Sequence, residues 1–254
     1  MMPAASPFSL DGRTAIVTGA NTGIGQAIAV ALAAAGAKIA AVGRSPMDET
    51  ASMIVGGPGR FHAIRADLSE TANLQTVIDE TRSWSGAIDI LVNNAGIIRR
   101  NDALDFTEDD WDAVIDTNLK SAFFLSQAAA RHMVARGSGK IVNIASLLSF
   151  QGGIRIASYT AAKSGLAGLT KLLACEWAAR GINVNAVAPG YVVTGNTKAL
   201  RDDPARYKAI LDRIPAGRWA APEDIAGAVV FLSSPAADYV HGVTLPVDGG
   251  WLAR

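Results

Sequence analysis

Short apolar runs alternate along the chain with longer stretches in which apolar residues recur at helical spacing. The runs predict seven strands, over Thr14–Thr18, Lys38–Val42, Phe61–Ala66, Ile88–Val92, Lys140–Ala145, Asn183–Ala188 and Thr244–Val247. The helical spacing predicts helices over Gln26–Ala35, Leu74–Trp84, Thr107–Arg136, Ser158–Ala179 and Glu223–Leu232. Gly36 is predicted to end the first helix and Thr107 to cap the third. This alternation is typical of an α/β protein.

Two segments interrupt the alternation. Pro46–Arg60 is predicted to be a loose connection with a break at Gly56–Gly59. Residues 194–214 are polar with helical spacing, and we expect a mobile lid over a substrate site at about 191–215. Asn118 lies inside an apolar helical pattern, so it must find a hydrogen-bond partner or mark a kink.

A glycine-rich turn follows the first strand and precedes the first helix. Its glycines, Gly19, Gly23 and Gly25, have the spacing G-x-x-x-G-x-G. Glycines at such a junction let the backbone approach a pyrophosphate, and the helix N-terminus supplies free N–H groups and the positive end of a dipole. The turn therefore predicts dinucleotide binding, although a glycine turn by itself is often only a tight turn.

The residues at the end of the second strand are expected to contact the adenosine ribose of a bound dinucleotide. A carboxylate there accepts a hydrogen bond from the 2′-hydroxyl of NAD. This chain has Gly43, Arg44 and Ser45 instead. Because no carboxylate repels a 2′-phosphate and Arg44 can pair with one, the charge pattern favours NADP. The alternative is that Arg44 is a solvated surface arginine.

Three side chains in the second half of the chain predict proton transfer. Ser146 follows the fifth strand, and Tyr159 and Lys163 lie four residues apart on one face of the next helix. A nearby ammonium lowers the pKa of a tyrosine from about 10, which lets the phenol exchange protons nearer neutral pH. The serine hydroxyl can bond the same substrate oxygen, so the set suits a carbonyl or alcohol carbon. The alternative is an ordinary Tyr–Lys pair on a helix face.

Composition narrows the class of protein. Half of the 254 residues are hydrophobic and 18% are charged, which fits one domain with a large buried core. The formal net charge is zero, so the chain shows no electrostatic footprint for nucleic acid. Cys175 is the single cysteine and is predicted to be a core residue. The three histidines show no ligand spacing, so we expect no metal site.

The beginning of the sequence and its apolar stretches bear on location. Met1–Pro7 lacks the basic and apolar regions of a secretory signal. The longest apolar stretch, Ala27–Val42, is broken by Gly36 and Lys38 and is too short to span a bilayer. We therefore expect a cytoplasmic protein that binds neither membrane nor nucleic acid.

Several short motifs occur together in this chain in a fixed order. They are Thr18–Gly25, Asp67, Asn93–Gly96, Asn118, Ser146, Tyr159 with Lys163, Pro189–Gly190 and Val247–Gly250. In this combination the chain resembles the short-chain dehydrogenase/reductase family over nearly its whole length. The resemblance implies a Rossmann-like, doubly wound α/β fold with a central parallel sheet of about seven strands. It also implies a single NAD(P)-binding domain over residues 1–254 and a homotetramer.

The resemblance further implies roles for individual residues. Tyr159 would be the general acid and base, and Ser146 would hold and polarise the substrate oxygen. Lys163 would bind the nicotinamide ribose and lower the pKa of Tyr159, and Asn118 would hold a water that completes a proton relay. Cofactor contacts are implied for Tyr159 and Lys163 and for Gly19, Asn21, Thr22, Gly23, Ile24, Gly25, Arg44, Ser45, Asp67 (at the adenine), Leu68, Asn93 (by the adenosine ribose), Ala95, Gly96, Pro189, Gly190, Val192 and Thr194 (at the carboxamide or a phosphate).

Within the family, several blocks are similar to a subgroup that acts on sugar acids: Gly96–Arg100, Ser146–Ile154, Gly190–Tyr191 with Asn196–Lys198, Ile214–Trp219 and Asp248–Arg254. These are 2-deoxy-D-gluconate 3-dehydrogenases, also described as 2-dehydro-3-deoxy-D-gluconate 5-dehydrogenases. They often use NAD, whereas Arg44 favours NADP, so the expected cofactor is NAD(P). The alternatives are a gluconate 5-dehydrogenase or another polyol or ketone dehydrogenase and, in a different class, a non-catalytic dinucleotide-binding redox sensor.

A sugar acid carries a carboxylate, which an arginine guanidinium binds through two parallel hydrogen bonds. Arg99 and Arg100 follow the fourth strand, and Arg155 lies between the candidate serine and tyrosine. We expect at least one of these arginines to bind the substrate carboxylate, with Gln151 and Asn196 as contacts to its hydroxyls. The alternative is that the three arginines are surface or subunit-interface residues.

Overall fold

Residues 6–56 and 59–254 are described by the computed structural model. The prediction about Met1–Pro7 therefore falls mostly outside the described residues, as does the centre of the predicted break at Gly56–Gly59. The described residues contain seven strands: β1 (Thr14–Thr18), β2 (Lys38–Gly43), β3 (Phe61–Arg65), β4 (Ile90–Asn93), β5 (Gly139–Ile144), β6 (Ile182–Pro189) and β7 (Thr244–Val247). Every strand lies where the apolar runs predicted one.

The strands form one parallel sheet in the order β3-β2-β1-β4-β5-β6-β7. The order reverses at β1, which pairs with β2 on one side and with β4 on the other. This confirms the predicted Rossmann-like, doubly wound fold. Ligands of such sheets bind outside the carboxyl ends of the strands, at the point where the order reverses. Here that point lies between the ends of β1 and β4.

Helices cover both faces of the sheet. Over the described residues they are α1 (Gly23–Ala34), α2 (Asp48–Met53), α3 (Ala72–Ser85), α4 (Glu108–Ile115), α5 (Ser121–Arg136), α6 (Ala157–Trp177), α7 (Lys198–Arg201), α8 (Pro204–Leu211) and α9 (Pro222–Ser233). One core joins α1 and α9 to the sheet, and a second core joins α3, α5 and α6 to its other face. The five central strands, β2, β1, β4, β5 and β6, are buried from both sides, which explains why they are continuous apolar runs, whereas the edge strands β3 and β7 are partly exposed. None of the helices in the described ranges is both long enough and apolar enough to cross a bilayer.

Three local predictions about helices are confirmed. Gly36 follows the end of α1 with a φ of 112°, a conformation that favours glycine. Thr107 caps α4, and its hydroxyl accepts a hydrogen bond of 3.2 Å from the Asp110 N–H. Asn118 lies in a π-helical turn, Asp116–Lys120, that joins α4 to α5. The polar residue in the apolar pattern therefore does mark a break in the regular helix.

Two predictions are wrong. The segment predicted to be loose contains α2, because Thr50 is fully buried and its hydroxyl donates a 2.8 Å hydrogen bond to the Ala20 carbonyl. This long-range contact has no periodic signal in the sequence. Cys175 is exposed rather than in the core. It lies on the solvent side of α6, while its neighbours Leu173 and Ala174 face the sheet.

Candidate active site

A cleft of about 710 Å³ opens at the carboxyl ends of the strands. Its volume lies in the range of about 300–1,000 Å³ that is typical of small-molecule and cofactor sites. Ser146, Tyr159 and Lys163 line it. So do all the other predicted cofactor residues except Asn93: Gly19, Asn21, Thr22, Gly23, Ile24, Gly25, Arg44, Ser45, Asp67, Leu68, Ala95, Gly96, Pro189, Gly190, Val192 and Thr194. The structure thus brings the residues predicted to bind a dinucleotide and those predicted to transfer a proton into one cleft.

The glycine turn between β1 and α1 shapes one wall of the cleft. Gly19 and Gly23 have φ angles of 67° and 57°, in the left-handed region. A Cβ atom on Gly25 would lie 2.1 Å from the Gly19 carbonyl oxygen, so the turn closes this tightly only with glycine at that position. Because α1 begins at Gly23, its first free N–H groups lie at the cleft, as pyrophosphate binding requires.

Arg44 and Asp67 lie at one end of the cleft, after β2 and β3. Arg44 Nη1 is 3.7 Å from Asp67 Oδ2, and both side chains are largely exposed. Hydrogen bonds from the Ser69 side chain and backbone, together with Arg44, hold the pKa of Asp67 below its ordinary value. The Arg44 guanidinium therefore keeps a solvent-facing side available to a further anion.

Lys163 and Tyr159 lie on α6, beneath and beside the end of β5. Lys163 is 4% exposed, and its Nζ donates a 2.6 Å hydrogen bond to the Ile144 carbonyl at the end of β5. The same Nζ lies over the Tyr159 ring, 5.7 Å from its centre. Ser146 follows β5, and its hydroxyl accepts a hydrogen bond of 3.2 Å from the Leu148 N–H. Strand β5 thus sets the positions of both the serine and the lysine.

Burial controls the protonation of both groups on α6. Burial raises the pKa of Tyr159 above its ordinary value, while the Ser146 hydroxyl and the charge of Arg100 act in the opposite direction. Burial lowers the pKa of Lys163 from 10.5 to about 8. The lowering of the Tyr159 pKa by Lys163 stays a prediction; in the structure the Lys163 ammonium lies over the Tyr159 ring and binds the Ile144 carbonyl.

Asn118 ties the π turn to the segment after β4. Its Nδ2 donates to the Ile97 carbonyl at 2.9 Å, and its Oδ1 accepts from the Ile97 N–H at 2.8 Å. The side chain is buried, and its neighbour Thr117 lines the cleft. Both polar atoms of the amide are thus engaged in holding the wall of the cleft.

Asn93 is placed differently from the prediction. Its side chain is buried and donates to Asn143 Oδ1 at 2.8 Å and to Ser126 Oγ at 2.9 Å, on the side of the sheet covered by α5. The next residue, Asn94, lines the cleft instead, and its Nδ2 donates to the Thr18 carbonyl at 2.8 Å. Side chains alternate in direction along a strand, so neighbours at a strand end face opposite sides.

The structure separates the three candidate arginines. Arg99 Nε pairs with Asp110 at 3.1 Å, and Arg155 Nε lies 3.9 Å from Asp102. Arg100 Nη2 instead donates a 3.0 Å hydrogen bond to the Asn196 carbonyl. Partial burial lowers the pKa of Arg100, whereas the nearby Tyr159 raises it. None of the three is among the residues that line the cleft, but Arg100 is the one whose charge acts on the candidate acid, Tyr159.

The two candidate amide contacts also differ. Asn196 lines the cleft, at the start of the predicted lid. Gln151 does not line the cleft, because its Oε1 accepts a 2.9 Å hydrogen bond from the indole N–H of Trp251 near the C-terminus. The prediction that Gln151 binds a substrate hydroxyl is not supported by this geometry.

Comparison with known proteins extends these findings. The profile of a family described as enoyl-(acyl carrier protein) reductase matches residues 19–252. The 2-dehydro-3-deoxy-D-gluconate 5-dehydrogenase of Escherichia coli is 55% identical over 250 residues, which are 98% of this chain and 99% of the relative. The chain belongs to the short-chain dehydrogenase/reductase family.

Two solved structures of the family are similar throughout. A protein from Agrobacterium tumefaciens, provisionally assigned as a 2-deoxy-D-gluconate 3-dehydrogenase and crystallised with NADP, is 63% identical, with a TM-score of 0.91 over 98% of this chain and 100% of its own. A gluconate 5-dehydrogenase from Burkholderia cenocepacia, in complex with NADP and tartrate, is 43% identical, with a TM-score of 0.91 over 98% of each chain.

Membership in the short-chain dehydrogenase/reductases confirms two predictions, an oxidoreductase and an NAD(P) cofactor. The site fits this cofactor, because the glycine turn leaves room for a pyrophosphate and a guanidinium lies at one end of the cleft. The described residues contain no group of three or more histidine, cysteine, aspartate or glutamate side chains that could hold a metal ion.

Four polar residues line the cleft that were not among the predicted site residues: Asn94, Thr117, Thr197 and Arg201. Asn94 and Thr117 are next to predicted residues, so the alternation of side chains at a strand or helix end could have signalled them. Arg201 lies on α7 and donates from Nη2 to the Thr194 carbonyl at 3.0 Å. No motif marks this arginine, since its position depends on how the lid folds.

Proposed function

We propose that this short-chain dehydrogenase/reductase catalyses reversible hydride transfer between NADP and a sugar acid of the 2-dehydro-3-deoxy-D-gluconate or 2-deoxy-D-gluconate type. The names of the similar proteins from E. coli and A. tumefaciens support this substrate class. The observation that carries the proposal is the placement of Arg100. Its positive charge acts on Tyr159, its guanidinium bonds the Asn196 carbonyl of the cleft wall, and it forms no ion pair with another described residue, whereas Arg99 and Arg155 each face an aspartate.

The proposed mechanism assigns one task to each side chain. The bound nicotinamide supplies the hydride in reduction and accepts it in oxidation. In reduction, Tyr159 donates its phenolic proton to the ketone oxygen, and Ser146 donates a hydrogen bond to the same oxygen. Lys163 binds the nicotinamide ribose. Asn118 holds a water of the proton relay through its backbone carbonyl, because both polar atoms of its side chain bond Ile97. Arg100 pairs with the substrate carboxylate and thereby orients the reacting carbon. In oxidation, Tyr159 accepts the proton.

We assign the other predicted cleft residues to the cofactor, with a preference for NADP. Arg44 and Ser45 offer a cation and a hydroxyl at the end of β2, with glycine where a carboxylate would select NAD. The NADP found in both similar crystal structures supports the preference. Asp67 stays charged and paired with Arg44, so it orients the guanidinium rather than repelling the cofactor.

The segment 191–215 is proposed as the lid of the substrate site. It contains α7 and α8, and its residues Thr194–Thr197 line the cleft. Most of α8 is exposed, and it packs against the rest of the molecule through one small apolar cluster that includes Ile210 and Ile214. Arg100 and Arg201 each bond a backbone carbonyl of the lid, at Asn196 and Thr194. These two contacts can be exchanged for contacts with bound anions.

A gluconate 5-dehydrogenase is the second candidate. The similar enzyme from B. cenocepacia carries that name and was crystallised with tartrate, another hydroxy acid, so the same carboxylate chemistry applies. A non-catalytic redox sensor is less well supported, because Ser146, Tyr159 and Lys163 are all present in one cleft. A sensor needs no positioned proton donor.

Initial rates of the purified protein test the proposal. The acids are 2-dehydro-3-deoxy-D-gluconate, 2-deoxy-D-gluconate and D-gluconate, each with the appropriate redox form of NAD and NADP. We expect the highest kcat/KM with a deoxy acid and NADP. Turnover of gluconate alone would favour the second candidate, and no turnover of any acid would reject the substrate assignment.

We further propose that the protein is a homotetramer in the cytoplasm. Support for the assembly comes from a groove between α5 and α6 that is lined by Phe123, Leu172 and Trp177. Leu172 is 48% exposed and Phe124, which packs against Phe123, is 42% exposed, although both are large and apolar. Light scattering would measure the mass of the assembly, and a monomer at micromolar concentration would contradict the proposal.

A further inference from the structure

The C-terminal residues form a fixed turn that presents one indole ring to the interior. Asp248 Oδ1 accepts from the Gly250 N–H at 2.8 Å, and its Oδ2 accepts from the Leu252 N–H at 2.9 Å. Trp251 lies between these bonds and is only 4% exposed. The ring is thus held in place by its own turn before it meets the rest of the molecule.

The edge of this ring holds the segment that begins at Ser146. Trp251 Nε1 donates a 2.9 Å hydrogen bond to Gln151 Oε1. The Gln151 N–H in turn donates to the Leu147 carbonyl at 3.0 Å, which closes a turn directly after Ser146. Leu147 also belongs to the same buried apolar cluster as the ring. The serine hydroxyl therefore sits at the start of a segment that is fixed by Trp251.

The faces of the same ring hold the lid and the exit of β6. The ring centre lies 4.7 Å from that of Tyr191, which follows Pro189–Gly190 in the cleft wall. The Arg213 guanidinium carbon lies 4.0 Å from the ring centre, in a cation–π contact. Ile210 of α8, Ile214 after it and Trp219 belong to the same buried cluster as the ring.

We propose that Trp251 is a positioning residue that couples the lid to the Ser146 segment. One indole contacts both, so opening of the lid removes packing that holds the ring against Gln151. The substrate oxygen would then lose its serine partner when the lid opens and regain it when the lid closes. This inference rests on the proposed function for the reaction, but the physical coupling can be measured without a substrate.

Two conservative substitutions break the contact from opposite sides. Trp251→Phe keeps an aromatic ring and removes the N–H donor, and Gln151→Leu removes the acceptor. Trp84→Phe is the matched control, because Trp84 also makes one partly buried aromatic contact, to His62 on β3 at the far edge of the sheet. The melting temperature of each variant is measured first. A test variant that melts at the wild-type temperature is folded, and one such variant is enough for the tests below.

Hydrogen exchange of backbone amides tests the coupling directly. Gln151 touches the ring but lies outside the lid, so a purely local role predicts faster exchange in residues 146–151 alone. Coupling predicts that Gln151→Leu also speeds exchange about tenfold in residues 204–214. Unchanged exchange in the lid of both test variants would overturn the proposal. The Trp84→Phe control should leave both segments unchanged.

Kinetics provide the second test, on the substrate that the wild type turns over fastest. Each single variant should lower kcat about tenfold with the Kd for NADP within about twofold, and the double variant should lose no more than either single one. The pH for half-maximal oxidation should rise, because Ser146 withdraws from Tyr159 while Arg100 and Lys163, the charged groups that face it, stay in place. If the kcat losses of the two single variants added in the double variant, or if the Kd for NADP rose as much as kcat fell, the coupling would be contradicted. Failure of the wild type on every sugar acid would reject the proposed function and leave the exchange test to decide this inference.

Discussion

Tyr159 shows how a single residue is prepared for one direction of proton transfer. Burial raises the pKa of its phenol, and the Ser146 hydroxyl and Arg100 reduce that rise. The phenol is therefore protonated at neutral pH and ready to donate to a ketone oxygen. Oxidation needs the phenolate, so its rate should increase with pH through the alkaline range.

Replacement of this phenol tests its role. In Tyr159→Phe the ring remains in the cleft but no proton can be given or taken, so kcat should fall about 10²–10⁴-fold in both directions. Binding of NADP, measured by fluorescence titration, should be retained. Turnover within about threefold of the wild type would remove Tyr159 from the mechanism.

Lys163 gives a prediction about stability. Its buried ammonium has a pKa lowered from 10.5 to about 8, so between these values the unfolded chain binds more protons than the folded one. The free energy of unfolding therefore rises between pH 8 and pH 10.5. Below pH 8 the buried charge lowers it by on the order of 3 kcal/mol, and the hydrogen bond to the Ile144 carbonyl offsets part of this loss.

Lys163→Met should abolish turnover without lowering the free energy of unfolding at pH 7. The wild type should gain stability relative to this variant as the pH rises from 8 to 10.5. Urea unfolding at several pH values measures the difference. A variant that is several kcal/mol less stable at pH 7 would show that the ammonium stabilises the fold.

At the scale of elements, the features that could be predicted from the sequence are those determined by residues close to one another along the chain. Buried strands are continuous apolar runs and helix caps have local signatures, so β1 to β7 and the cap at Thr107 could be located. The glycine turn and the Tyr159–Lys163 pair are also local patterns. What could not be predicted depends on contacts between distant segments. Examples are α2, held by Thr50, and the capture of Gln151 by Trp251, 100 positions away in the chain.

The exit of β2 gives a prediction at this scale. Arg44→Asp places a carboxylate where a 2′-phosphate would lie, next to Asp67. Repulsion should raise the KM for NADP at least about tenfold and leave the KM for NAD unchanged or lower. Steady-state rates with each cofactor, at saturating substrate, measure the change. An unaltered preference would mean that Arg44 is only a solvated surface residue.

At the scale of the whole molecule, charge is balanced overall but not in the cleft. The chain has 23 basic and 23 acidic residues. Within the described part of the chain, the cleft is lined by three cations, Arg44, Lys163 and Arg201, and by a single acid, Asp67. Arg100 adds a fourth positive charge beside it. A site of this sign attracts a dinucleotide and a carboxylic acid and disfavours cationic substrates.

The substitution Arg100→Met tests the central claim most directly, with Arg99→Met as the matched control. Methionine keeps an unbranched side chain but cannot pair with a carboxylate. Measured with the deoxy sugar acid and NADP, kcat/KM should fall about 30–1,000-fold in Arg100→Met, mainly through KM, and stay within about threefold in Arg99→Met. An unchanged KM for the acid in Arg100→Met would contradict the assignment of this protein as a sugar-acid dehydrogenase that binds its substrate through Arg100.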